Sequence, residues 1–290
     1  MNGPLVNSFG VTSTVADLRR VLVRTPATTG DWAAAGWREP DTDLLLKEHD
    51  AFSQLLTDLG CQVEVAPPVP GLVDAVYMYD SAFVVAEGAI VLASPKPNRG
   101  AEAVHAEHAL VAAGVPVVGR LTGEARADGG DLMWLDDGTL LAGRTYRTNA
   151  AAHAQLAELL ARSGQRLVRA DMPHDRGSAH VLHLMSVVSM ISERLAVVFE
   201  PLSPVPLLEE LRDRDIEWIA VEEDDYLAMG VNVLAVRPGV VVMVDGTPRV
   251  RSALEALGVE VHVFDGSQLS LKGDGGPTCL TRPLWRSSHA

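Results

Sequence analysis

Short apolar runs separated by two-residue polar turns recur along the chain in a fixed order. FVVAEGAIVL (83–92) places two apolar runs around Glu87-Gly88, the pattern of a β-hairpin. AEAVHAEHALVAAG (101–114) follows as a predicted helix stopped at Gly114, and VPVVGRL (115–121) reads as a strand. The order then returns. GDLMWL (130–135) and TLLAG (139–143) flank Asp137-Gly138, a strong hairpin turn. Asn149 is placed to cap a helix through Leu160 that stops near Gly164, and QRLVRA (165–170) is a strand. A third pass runs VLHLMSVVSMI (181–191), a turn at Ser192-Glu193, LAVVFE (195–200), the helix PLLEELRDR (206–214) and the strand IEWIAVE (216–222). A fourth runs VNVLAV (231–236), Pro238-Gly239, VVVMVDG (240–246), the helix RVRSALEALG (249–258) and the strand VEVHVF (259–264). The fifth is split across the termini: TCLTRPLW (278–285) pairs with RRVLVRTP (19–26), followed by the helix at 44–60 and the strand CQVEVA (61–66).

Five ββαβ units of about 50 residues, each needing its neighbours to cover an apolar face, predict an α/β ring closed by pairing the terminal strands. No linker or low-complexity tract divides residues 1–290, so a single domain is expected although the length alone suggests two. An ordinary open α/β sheet is the alternative.

Composition narrows the function classes. With 47% hydrophobic and 21% charged residues the chain reads as an ordinary globular protein. Its net charge of −14, from 24 basic and 38 acidic residues, disfavours nucleic acid and anionic membranes as partners. No apolar run is long enough to span a bilayer, and MNGPLVNSFG lacks the features of a signal peptide. Two cysteines are too few for a disulfide scaffold, so a reducing, cytoplasmic setting is expected.

The repeat also predicts where chemistry gathers. Asp80, Asp128 with Asp131, His183, Asn232 and Cys279 all stand at or before the first strand of a unit, at spacings of 48, 55, 49 and 47. Equivalent positions in a ring converge on one end of its axis, which would collect carboxylates, an imidazole, an amide and a thiol in one cavity. Each residue also has a plainer reading. Cys279 could be a small buried hydrophobe, although KGDGGPTCLTRP is glycine-rich and reads as mobile, with room for a lid at Gly273–Gly276. His183 lies in an apolar run and could be a satisfied core histidine. His180 reads as surface and Cys61 as core. Asp80 and the DGGD segment could be turns, Asn232 could serve only the backbone, and Arg99 and Arg147 could be solvated.

The chain resembles the guanidine-modifying superfamily with the five-bladed α/β-propeller (pentein) fold: the dimethylargininases, arginine deiminases and amidinotransferases. The resemblance spans about Leu18 to Arg286. It rests on VLVRTP (21–26), YMYDSAFV (77–84), PNRGAE (97–102), the GGD and GRxxRTN motifs within 127–149, LHLMS (182–186), GVNVLAV (230–236) and GGPTCLTRPL (275–284). It implies Cys279 as nucleophile, His183 as general acid/base and Asp128 as the carboxylate supporting that histidine. It further implies Asp80 as the guanidinium anchor, and Arg99 and Arg147 as holders of a substrate α-carboxylate. No cofactor or metal is implied. The partner is a small guanidine, and a homodimer is compatible with it.

Three departures bear on the substrate. Asp128 replaces the longer glutamate of the common EGGD. Met185 stands where arginine deiminases carry the aspartate of HLDT. Tyr79-Asp80 replaces the two consecutive acids typical of dimethylargininases. The resemblance therefore implies hydrolysis of a (methyl)arginine-like guanidine in the dimethylargininase manner. Arginine deimination, amidino transfer and a non-catalytic binding module are the alternatives.

The residue types fit that chemistry. A guanidinium is a stabilised cation and a poor electrophile, so a carboxylate must hold it and a thiolate must attack it. Asp80 and Cys279 are the candidates. The Cys279 thiol would be activated by protonated His183 or by the cationic substrate itself.

Overall fold

Each apolar hairpin forms two antiparallel strands, and the helix after it returns the chain to a third strand parallel to the second. The computed structural model describes residues 8–287. The sequence reading of the chain start at Met1–Gly10 falls mostly outside this range. Five three-stranded sheets result. One joins β1 (Asp17–Arg24), α1 (Thr42–Asp58) and β2 (Gln62–Ala66) to the last strand, β15 (Arg282–Ser287), in the order β15-β1-β2. The second holds β3 (Ala82–Val85), β4 (Gly88–Val91), α2 (Glu102–Ala112) and β5 (Val117–Arg120). The third holds β6 (Leu132–Asp136), β7 (Thr139–Arg144), α3 (Ala150–Ala161) and β8 (Arg166–Asp171). The fourth holds β9 (Val188–Ser192), β10 (Leu195–Val198), α4 (Val205–Asp213) and β11 (Glu217–Ala220). After the short α5 (Glu223–Leu227), the fifth holds β12 (Leu234–Arg237), β13 (Val240–Val244), α6 (Pro248–Ala256) and β14 (Glu260–Phe264).

The terminal pairing expected from sequence is present, with β1 antiparallel to β15 in the register Asp17↔Ser287 and Val21↔Pro283. Helix faces follow the apolar spacing. In α1 the buried residues are Leu45, Glu48, His49, Phe52 and Leu56, and the apolar ones join Val21 and Val23 of β1 in one core cluster. Leu207 and Leu211 of α4 join Val198, and Val250 and Leu254 of α6 join Val241 and Met243. Asn149 caps α3 as expected, accepting from Ala152 N at 2.9 Å.

Hydrogen bonds link each sheet to the next. Arg282 Nη1 donates to Ala82 O at 2.6 Å, and Ala127 N to Ala93 O at 3.0 Å. Leu184 N donates to Asp131 Oδ1 at 2.9 Å, and Val233 N to Ser189 Oγ at 3.3 Å. Arg286 Nη2 donates to Ala235 O at 2.7 Å. Among the described residues no helix is long and apolar enough to cross a membrane.

Three first strands begin later than their apolar runs suggest. The run 181–191 becomes strand only at Val188, because Ser186 Oγ takes His183 N and Asp131 takes Leu184 N, and these amides leave the ladder. Likewise 231–236 becomes strand at Leu234, and 278–285 only at Arg282, since Leu280 N and Thr281 N bond to Gly276 O and Thr278 O within a turn. The delay leaves His183, Asn232 and Cys279 on the loops that precede the sheets.

Candidate active site

An antiparallel hairpin brings the start of its first strand and the end of its second to the same edge of the sheet. Asp80 precedes β3 and Arg99 follows β4. Asp128 precedes β6 and Arg147 follows β7. His183, Asn232 and Cys279 precede β9, β12 and β15. These segments meet at a cavity of about 380 Å³ lined by Asp80, Arg99, Arg147, His183, Asn232 and Cys279. Asp128 lies behind this lining, fully buried.

The polar groups form one network. His183 Nε2 is 3.2 Å from Asp128 Oδ2, and Arg147 Nη1 donates to the same oxygen at 3.3 Å. Asp80 Oδ1 accepts from Gly130 N at 2.9 Å, and its Oδ2 accepts from Arg99 Nη1 at 2.6 Å. Asn232 bridges the thiol and its own loop: Nδ2 donates to Cys279 Sγ at 3.2 Å while Oδ1 accepts from Thr278 N at 3.0 Å. Asp131 does not reach the cavity. It accepts from Thr145 Oγ1, Thr148 Oγ1 and Leu184 N at 2.7, 2.6 and 2.9 Å, joining the Arg147 turn to the His183 turn.

Glycine is required where these loops cross. A Cβ on Gly129 would collide with Tyr79 O, and one on Gly130 with His183 Nδ1. Gly275 and Gly276 are likewise buried, against Tyr77 and Asn232. Gly275 and Gly276, just before Cys279, therefore serve close approach in this conformation, while Asp274 between them and Gly273 is exposed.

The charges shift the proton affinities in opposite ways. Burial disfavours a charged imidazole at His183, but Asp80, Asp131 and Asp128 outweigh it and raise its pKa to about 9. Burial likewise works against the Asp128 carboxylate, yet His183 and Arg99 bring it down to about 2. Burial and the Asp80 charge push the Cys279 thiol up to about 11, partly offset by Asn232, the Gly276 amide and Arg99. At neutral pH the site thus holds an imidazolium and a thiol.

Arg99 lines the cavity as expected, but acids already engage its guanidinium. It is buried, with Nε on Glu102 Oε2 at 2.9 Å, Nη1 on Asp80, and Nη2 facing the carbonyls of Asp74 and Tyr77 at 3.5 and 3.3 Å. Its guanidinium is thus paired with Asp80 and Glu102 at the cavity lining, an engagement the motif did not foretell. His180 is exposed and lines the cavity, and Cys61 is core. Sequence reasoning passed over Asp74 and Lys96, which also line the cavity. Asp74, an acid inside the apolar stretch GLVDAVYMY, carried the one available signal.

Asp80, Asp128 and His183 offer donor atoms within 4.8 Å of one another, the one such group with metal-ligand chemistry among the described residues. Arg99 and Arg147 already neutralise the two carboxylates, so the cluster is built around protein cations rather than a metal ion.

The chain matches the arginine deiminase family over residues 67–204 and 209–286. It is 27% identical over 241 residues to an N(G),N(G)-dimethylarginine dimethylaminohydrolase of Streptomyces coelicolor, covering 83% of this chain and 86% of that one. It is 28% identical over 196 residues to an arginine deiminase of Mycoplasma capricolum, covering 56% of this chain and 48% of the relative. In fold it is similar to the dimethylarginine dimethylaminohydrolase of Pseudomonas aeruginosa, solved as a cysteine-to-serine mutant with citrulline. There the TM-score is 0.78 at 22% identity, covering 92% of this chain and 99% of that one.

Proposed function

The chain belongs to the arginine deiminase family, and on that premise we propose that it is a hydrolase that cleaves the guanidine group of a (methyl)arginine-like substrate in the dimethylargininase manner. The observation that carries the reading is the meeting of Cys279, His183 and Asp80 at one cavity, with Asp128 bonded behind the imidazole.

The substrate guanidinium pairs with Asp80, whose oxygens accept only two protein hydrogen bonds and keep further lone pairs for a ligand. A bound cation offsets the Asp80 charge that holds the Cys279 thiol up, so binding itself favours the thiolate, the thiol proton passing to solvent. Cys279 Sγ attacks the guanidinium carbon and forms a C–S bond. His183, protonated beforehand, gives its proton to the departing nitrogen, and the C–N bond breaks to leave an S-alkylthiouronium. Neutral His183 then takes a proton from water, which attacks the same carbon. The C–S bond breaks, the thiolate is restored, and a ureido product is released, citrulline where the substrate is an arginine. Asp128 holds the imidazole in place and stabilises its charged form.

Buried Met185 lines the cavity and supplies no carboxylate for an unsubstituted terminal nitrogen, which favours a substituted guanidine over free arginine. Arg99 is read as the positioning partner of Asp80. We read the succession of sheet-to-sheet hydrogen bonds, from the β15-β1-β2 sheet round to Arg286 and Ala235, as a single five-bladed α/β propeller spanning the chain.

The test incubates the purified protein with arginine, its monomethyl and asymmetric dimethyl forms and ω-guanidino acids, reading ammonia, methylamines and ureido product. Hydrolysis with a covalent adduct on Cys279 by mass spectrometry is expected. Undiminished turnover by Cys279→Ser would overturn the mechanism.

A further inference from the structure

The charged groups of the cavity lining outside the reacting cluster bear on the substrate's other end. An α-amino acid presents an ammonium beside its carboxylate, and a buried ammonium needs an acceptor with spare charge. Three carboxylates line the cavity among the described residues: Asp74, Asp80 and Asp274. Asp80 is taken by Arg99 and by the guanidinium assigned to it above. Asp274 pairs with Arg38 at 3.0 Å and is half-exposed.

Asp74 is buried, with 3% of its surface exposed, and three donors already engage it. Trp37 Nε1 donates to Oδ1 at 2.8 Å, while Lys96 Nζ and Asn98 Nδ2 donate to Oδ2 at 2.6 and 3.2 Å. Lys96 is the decisive residue, because it neutralises the one carboxylate that could otherwise meet an ammonium. Its Nζ also donates to Ala35 O at 2.6 Å, so of three N–H bonds one remains for a ligand.

Beyond the pairs Lys96–Asp74, Arg38–Asp274 and Arg99–Asp80, the lining adds two further arginines, Arg147 and Arg176, and no further carboxylate among the described residues. Arg147 gives one nitrogen to Asp128 and is only partly buried by its neighbours' packing, and Arg176 lies 3.5 Å from Asp175 at the exposed mouth. A carboxylate entering here meets Lys96 and Arg147, while an ammonium meets only acids that already hold a protein cation.

Resting on the guanidine-hydrolase reading, we propose that the substrate is an ω-guanidino carboxylic acid without an α-ammonium group, its carboxylate received by Lys96 and Arg147. Lys96 is the specificity-determining residue: it supplies a cation and withdraws Asp74 at once. The overall reaction is unchanged, with water replacing one guanidine nitrogen to give the ureido acid and ammonia or an amine.

The test compares kcat/KM for L-arginine and for the same molecule lacking its α-amino group, with matched substitution on the guanidine. The deamino acid is expected to be better by at least about tenfold. Lys96→Met frees Asp74 and removes a cation, and is expected to move the ratio at least about tenfold toward the α-amino acid. A native preference for the α-amino acid, or a ratio unmoved by Lys96→Met in a folded variant, overturns the proposal. Calorimetry on Cys279→Ser with the same two ligands reads the preference without chemistry. A retained preference where the native protein turns over neither ligand sinks the hydrolase reading and leaves the tail preference standing. Equal affinity, or no binding of either ligand, overturns the tail preference.

Discussion

His183 shows what a single side chain carries in this site. Its ring lies over Gly130, where no Cβ would fit, and faces Asp128, so its position is fixed by a missing atom and by one carboxylate. Its raised pKa links it to stability. An imidazole whose folded pKa lies at about 9, above an unfolded value near 6.5, stabilises the fold fully below the unfolded value. That contribution is lost as pH rises from about 6.5 through 9. Asp128, lowered to about 2, works on the acid side: its contribution is present above the usual carboxylate pKa and lost as pH falls toward 2. The melting temperature of the native protein should therefore drop by several degrees between pH 6.5 and pH 9, and the drop should be markedly smaller in His183→Gln. Parallel curves for the two proteins across that window would refute the assignment. Asp80, Asp128, His183, Asn232 and Cys279 were legible in the sequence because they break apolar runs at equivalent points of a repeat. Asp74 and Lys96 were not, because neither occupies a repeated position and their meaning comes from each other. Arg99 was found by its motif, but its engagement with Asp80 and Glu102 depends on distances that no motif carries.

At the scale of elements, the hairpins were the clearest signal, since Glu87-Gly88, Asp137-Gly138 and Pro238-Gly239 punctuate runs of fixed length. Strand starts were not, because side-chain acceptors such as Asp131 and Ser186 compete for amides that an apolar run would assign to a ladder. Helix α1 hides a second device of this kind. Glu48 sits on its buried face among Leu45, Phe52 and Leu56, where a sequence pattern registers only an interruption. Its carboxylate accepts from Ser267 Oγ at 2.6 Å, from Gln268 N at 2.9 Å and from Leu269 N at 2.7 Å. One helix residue thereby anchors the loop that leads toward the Cys279 turn. Replacing Glu48 with Ala leaves those donors without a partner in a closed environment, and should lower stability by about 3 kcal/mol in urea titrations. Glu48→Gln keeps one acceptor oxygen and should lose less. A change within about 0.5 kcal/mol for Glu48→Ala would place the loop's anchorage elsewhere.

At the scale of the whole molecule, the first and last of the described strands meet inside one sheet. Strand β15 lies antiparallel to β1, and β1 lies parallel to β2, so the first and last strands complete a unit equivalent to the other four. Two buried arginines of β15 reach in opposite directions, Arg282 to Ala82 of β3 and Arg286 to Ala235 of β12. Their guanidiniums bond to backbone carbonyls, and Arg282 also lies 4.0 Å over the Tyr79 ring, so each fixes a neighbouring sheet through hydrogen bonds and packing rather than through an ion pair. If the five units are equivalent links of a ring, the position of the break between N- and C-terminus is arbitrary, and what matters is that β15 stays beside β1. A circular permutant that joins the native ends by a short Gly/Ser linker and opens the chain at the exposed turn between Glu193 and Arg194 keeps every sheet intact. It should fold with near-native circular dichroism and keep its turnover within about tenfold. A truncation after Thr281, by contrast, removes β15 with both arginines and should fail to yield a cooperatively unfolding protein. A permutant that collapses, or a truncated chain that unfolds like the native one, would show that the terminal pairing is an ornament on an open sheet rather than the link that completes the fold and brings Cys279 to the cavity.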